Sequence, residues 1–156
     1  MVPPYPGANS FLYLAAVIDW FSRYVLAWEL SSTMETTFSV TALESSFRFG
    51  QPRIFNSDQG AQFSSAEFLA PLLERDIAIS MDGRGRALDN VFIERLWRSL
   101  KYELIYPGDF QDGAALAVAL REYFHFYNHQ RPHQALGYKT PADLFPLHRN
   151  TRNQPC

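Results

Sequence analysis

The stretch Arg53-Ile-Phe-Asn-Ser-Asp58-Gln-Gly60-Ala-Gln62-Phe63, continued after a gap by Asp89-Asn90-Val-Phe-Ile-Glu94-Arg95-Leu-Trp-Arg98-Ser-Leu-Lys101, decides how this chain is read. A short apolar run over 53–56 gives way to a glycine-containing turn, which predicts a strand whose end displays Asp58. Over 91–104 the spacing is helical. Ile93, Leu96, Trp97, Leu100 and Leu104 share one side, and Asn90, Glu94, Arg98 and Lys101 share the other. A carboxylate at a strand end and another on a helix face are the hard oxygen ligands that a divalent-metal site for phosphoryl transfer requires. Taken singly, each acid would read as a turn residue or a solvated helix face.

Outward from this stretch, the β-rich runs 11–19 and 24–30 flank Trp20-Phe-Ser-Arg23 and predict an antiparallel hairpin. The first run is apolar throughout, as a strand buried on both faces would be. Ser32-x-x-Glu35 and Ser64-x-x-Glu67 have the capping-box pattern and open helices over 34–49 and 66–75, with Gly50 closing the first. Strands are expected at 53–57 and 77–81, and an alanine-rich helix at 114–128 after a loop over 108–113. The order β, β, α, β, α, β, α defines an α/β fold, a mixed sheet with helices on its faces. Pro3, Pro4, Pro6 and Gly7 make residues 1–10 irregular and exclude a central strand there. Residues 11–104 then form the core, 105–147 a C-terminal helix and tail of the same domain, and 148–156 a frayed end.

With 156 residues, 47% hydrophobic and 15% aromatic, the chain suits one folded domain. The run over 12–18 is too short to cross a membrane and is ended by Asp19. The lone Cys156 excludes an internal disulfide and a thiolate zinc cage, which fits a reducing cytoplasm. Four basic and nine acidic residues precede Gly83, whereas ten basic and seven acidic follow from it. The basic part carries the Glu94 helix, where a phosphate backbone would lie. It also carries the loop 82–87, whose Arg84 and Arg86 can meet phosphates. Asp89 or Asn90 would cap the helix that follows. His125, His129 and His133 suggest a metal, but Pro132 breaks their registry and no cysteine or carboxylate completes a zinc ligand set.

The segment Asn56-Ser-Asp58-Gln-Gly60-x-Gln62-Phe-x-Ser65, then Asp89-Asn90-x-x-x-Glu94-Arg95 with thirty-five residues between the two acids, resembles the catalytic core of retroviral-integrase-type transposases. It is most similar to insertion-sequence transposases made from two overlapping reading frames, in the portion encoded by the second frame. Two further segments are similar to the same family: Asp19-Trp-Phe-Ser-Arg23, and the tail Tyr127-Asn128-His129-Gln130-Arg131-Pro132-His133-Gln134-Ala-Leu136-Gly137 through Pro141.

The resemblance implies a ribonuclease H-like fold, DNA cleavage and strand transfer, and an Asp, Asp, Glu triad holding two Mg²⁺ (or Mn²⁺) ions. Asp58 would be the second acid and Glu94 the third. Arg84, Arg86, Asn90, Arg95, Arg98, Lys101 and Arg131 are the expected DNA contacts. Arg131 and His133 could instead meet a structural carboxylate. DNA, as transposon ends and target, and a second copy of the chain are the implied partners, and the implied location is a bacterial cytoplasm.

One acid departs from the pattern. Counting back from Phe11, the family's first aspartate would fall at Met1 or just upstream, where this chain has Met1-Val-Pro-Pro-Tyr5. Asp19 matches the family's second-strand residue and would brace the turn through Ser22 or Arg23, or, as a lesser expectation, act as a surrogate metal ligand. Either translation begins further upstream or the chain is a relic. A relic would fold, with or without binding DNA or a partner, and cut nothing; a ribonuclease H-like nuclease acting on hybrids is a third reading. Without the first strand, the hairpin would expose an apolar edge that invites dimerisation.

Overall fold

Helical and strand periodicities sort the apolar residues onto two sides of one hairpin. The computed structural model describes residues 5–7, 10–57, 63–81 and 91–145. Strands β1 (Tyr5–Gly7), β2 (Ser10–Ile18) and β3 (Val25–Ser31) form an antiparallel sheet in that order. Along β2, Tyr13, Ala15 and Val17 meet Phe38 and Ala42 of α1 (Thr36–Ser46). The alternate residues Leu12, Leu14, Ala16 and Ile18 meet the opposite core. The expected burial on both faces is therefore present, and it follows from the period of two in a strand. A register shift at Val17/Ile18 pairs Val17 with Ala27 and Ile18 with Val25. That shift lets Val25, Trp28 and Leu30 of β3 all serve the same core.

Helices α3 (Val91–Leu100) and α4 (Gly113–His129) cover that second face, with Leu96, Leu100, Leu116 and Leu120 fully buried. Each such side chain contributes about 1.5–3 kcal/mol relative to exposure. A separate parallel pair, β4 (Ile54–Ser57) and β5 (Ala78–Met81), packs with α2 (Ala66–Glu74) and α1 around Leu43, Phe68, Leu72 and Ile77. Helix α1 thus touches both sheets, its Leu43 on one and its Ala42 on the other.

Several expectations need correction. Residues 1–10 were expected to be irregular, without a central strand, and to leave the hairpin edge uncovered, yet Tyr5–Gly7 pairs with Ser10–Leu12 on that edge. Pro6 is accommodated because this strand is an edge of the sheet among the described residues, where a missing N–H costs no ladder bond. The Ser32/Glu35 capping box does not form. Glu35 is the N-cap residue of α1 without a side-chain cap bond, and Ser31 Oγ instead accepts from Thr33 N. The second box also moves by one residue, with Ser65 Oγ accepting from Phe68 N. Helix α1 ends at Ser46 and tightens into a 3₁₀ turn over Phe47–Phe49, closed by Gly50 at φ 115°. Helix α4 starts earlier than expected because Asp112 caps it through Ala115 N. The frayed end at 148–156 lies outside the described residues.

Candidate functional site

Helix α3 displays Glu94 in its first turn because the residues around it are drawn inward. Leu96, Trp97 and Leu100 are buried, while Glu94, Arg95 and Arg98 are exposed. The two faces are those that the 3.6-residue period requires. Lys101 follows on the same face, half-buried, where the helix widens into a π-helical turn over Lys101–Ile105. The Arg98 guanidinium lies 5.9 Å from the Tyr102 ring centroid.

Strand β4 ends at Ser57, the residue directly before Asp58. Asp58 itself lies outside the described residues, as do Arg84, Arg86, Asp89 and Asn90. Two side-chain oxygens at this strand end, Asn56 Oδ1 and Ser57 Oγ, are buried and have no hydrogen-bond partner among the described residues. Buried oxygens are nearly always paired, so an unpaired couple asks for an explanation such as an ion or water at that spot. The sequence reading assigned no role to either residue; their adjacency to Asp58 was visible, but their burial was not.

Asp19 is 6% exposed and occupied by the turn. Its Oδ2 accepts from Ser22 N at 3.0 Å and from Ser22 Oγ at 2.7 Å, and Ser22 Oγ accepts from Tyr24 N. This is the bracing role that the sequence favoured over metal ligation. Arg23 takes the left-handed φ of 67° and lays its guanidinium 3.7 Å above the Phe92 ring centroid, two residues from Glu94. Burial draws the Arg23 pKa down from its ordinary value. Trp20, at 41% exposure, packs against the same Phe92 ring.

Arg131 proves to be engaged by a structural carboxylate. Its guanidinium nitrogens reach Glu103 at 2.7 Å, and the Tyr123 hydroxyl donates to the same carboxylate. Glu103 stands on the widened turn after α3, so this network ties α3 to the end of α4. Of the two partners expected for Arg131, a structural carboxylate is present; its expected contact with DNA remains part of the functional proposal. Burial opposes ionisation of Glu103, but the bonds from Arg131 and Tyr123 outweigh it and hold the carboxyl below its usual value. Desolvation pushes the Tyr127 phenol up to about 12. Burial, and then the charge of Arg131, lowers the His133 imidazole.

The donors that could hold a metal are Glu94 and the β4 end. Among the described residues, no three His, Cys, Asp or Glu side chains converge on one point. A hard cation would need ligands beyond these described side chains, and the oxygens of Asn56 and Ser57 are of the chemical kind such an ion takes.

The integrase core domain family matches residues 2–87, and a second pattern of the same description matches residues 75–141. The transposase for insertion sequence element IS629 of Shigella sonnei is 31% identical over 137 residues, 86% of this chain and 46% of that protein. The transposase for IS904 of Lactococcus lactis is 32% identical over 143 residues, 89% of this chain and 56% of that one. The chain thus spans about half the length of these transposases. The catalytic core domain of HTLV-2 integrase, solved in complex with magnesium as a dimer, superposes with a TM-score of 0.69. That match has 20% identity and covers 93% of this chain and 92% of that one, which establishes the ribonuclease H-like fold. A strand tip leading to Asp58, an outward-facing Glu94 and a match running through both lead to one conclusion: the chain belongs to the integrase core domain family.

Proposed function

We propose that this chain is a transposase catalytic domain that cleaves DNA and transfers the cut strand, with Asp58 and Glu94 holding Mg²⁺ or Mn²⁺, two ions in a complete site. The observation that carries the reading is the exposed Glu94 in the first turn of α3, in a chain whose β4 ends directly before Asp58. When bound, the divalent ions would stabilise negative charge on the attacking and leaving oxygens of an in-line displacement.

The chain's own residues supply the rest. Arg95 and Arg98, exposed beside Glu94, and Lys101 on the same face would fix the phosphate backbone, with Arg84, Arg86 and Asn90 leading into the helix. In the first step a water oxygen bonds to phosphorus and the bond to the 3′-oxygen breaks, freeing a 3′-hydroxyl. In the second that hydroxyl attacks a target phosphodiester, and the target strand leaves with a new 3′-hydroxyl. A second copy of the chain would be needed to hold two DNA ends. Among the described residues no helix is long and apolar enough to cross a membrane.

The rival reading is a remnant that folds but cuts nothing, and it draws on the commitment of Asp19 to its turn. A cleavage and strand-transfer assay in Mg²⁺, run on this chain and on a version extended upstream, separates the two. Activity that Asp58→Asn and Glu94→Gln abolish supports the enzyme, whereas inactivity of both versions supports the remnant. Cleavage of hybrid duplexes in preference to DNA would point instead to a ribonuclease H-like nuclease.

A further inference from the structure

An open groove of about 310 Å³ runs beside β3, and neither α3 nor β4 contributes to its lining. Its walls include Arg48, from the 3₁₀ turn after α1, and Arg121, His125 and His129, spaced one turn apart along α4. The two imidazoles lie with ring centroids 4.7 Å apart. Arg48 rests its guanidinium 4.8 Å over the Phe49 ring.

Both arginines are exposed, and neither has a carboxylate within ion-pair distance among the described residues. The contrast with Arg131 is informative, since that arginine, just past the end of α4, is neutralised by Glu103. Glu29 is the acid in the groove wall, and Glu44 and Glu122 sit exposed nearby in the sequence of α1 and α4. In a chain of net charge −2, two unneutralised guanidiniums from different helices converging on one groove are not a general excess of positive charge.

We infer that this groove is a second DNA-binding track, one that takes a phosphodiester backbone away from the Glu94 face of α3. It adopts DNA as the polyanion from the function proposed above and adds a separate place for it. An acidic peptide added to the β3 edge is the less suited occupant. Asn128 Oδ1 accepts from Val25 N at 2.8 Å and Nδ2 donates to Val25 O at 3.0 Å, so the first residue of that edge is already paired. Guanidinium forks beside two imidazoles match phosphate oxygens.

The test is equilibrium binding of a mixed-sequence DNA duplex by fluorescence anisotropy, in EDTA, between 50 and 200 mM salt on the scale where counterion release is read. Each lost phosphate contact lowers the slope of log K against log[salt] by about 0.9, so Arg48→Ala/Arg121→Ala is expected to lower it by about 1.8. Arg48→Lys/Arg121→Lys, which keeps both charges, should retain the slope and also serves as the folding control. A wild-type slope in the double alanine variant overturns the inference, as does a change in its sedimentation coefficient, which would assign the groove to a second copy. A chain that loses the slope with the arginines but never cleaves DNA keeps the groove and loses the proposed function. A chain that cleaves with an unaltered slope does the reverse.

Discussion

Replacing Asn128 by alanine removes a side chain that acts as a substitute strand partner. Asn128 is 6% exposed, and its amide closes both backbone groups of Val25, itself 4% exposed, at 2.8 and 3.0 Å. Truncation leaves a buried N–H and a buried C=O unpaired, at about 1–3 kcal/mol each. The expected loss is thus about 2–6 kcal/mol, a large part of the roughly 5–15 kcal/mol that holds a domain together. At about 2–4 °C per kcal/mol for a chain of this size, Tm falls by roughly 4–24 °C. Urea unfolding should show a lower midpoint with an unchanged m-value. Asn128→Asp sharpens the test, because it keeps the acceptor for Val25 N but sets a carboxylate oxygen against Val25 O. At neutral pH it should be no more stable than the alanine variant. An alanine variant within about 0.5 kcal/mol of wild type, the range of an ordinary surface change, would refute this reasoning.

Other outcomes follow from the same packing. Leu72→Ala, at a fully buried position between α2 and the parallel strand pair, should cost about 2–5 kcal/mol in urea unfolding. Arg131→Lys gives up the fork on Glu103, but both side chains are partly exposed, 25% and 35%, so the loss should stay near or below about 1 kcal/mol. The folded pKa of His133 lies below its ordinary value, so the fold favours the neutral ring. Stability is therefore complete above about pH 6.5 and is lost as pH falls through the lowered value. Glu103, also depressed, adds a second loss below about pH 4.3. Thermal melts from pH 7.5 downward should show both limbs, and His133→Gln should remove the upper one.

Periodicity carried most of the fold from the sequence. The alternation of β2, the two faces of α3 and the placement of β4 before Asp58 all depend on local spacing, and each is where the residues imply. Caps were less legible because serines occur in adjacent pairs: Ser31-Ser32 and Ser64-Ser65 offer two hydroxyls, and tertiary placement selects which one bonds. The bridge from Asn128 to Val25 and the tie from Arg131 to Glu103 join residues 103 and 28 positions apart, with no short-range signal. At the candidate site, the outward face of Glu94 was readable from helical spacing. The orphaned oxygens of Asn56 and Ser57 were not, since burial is set by what packs around β4.

The claim on which the functional account depends is that Asp58 and Glu94 share divalent cations. Electron paramagnetic resonance of free Mn²⁺, titrated with the protein, measures this without requiring catalysis. The account predicts that wild type depletes the free-ion signal and that Asp58→Asn and Glu94→Gln each abolish the depletion while leaving the fold intact by circular dichroism. Undiminished Mn²⁺ binding in either single variant would contradict it.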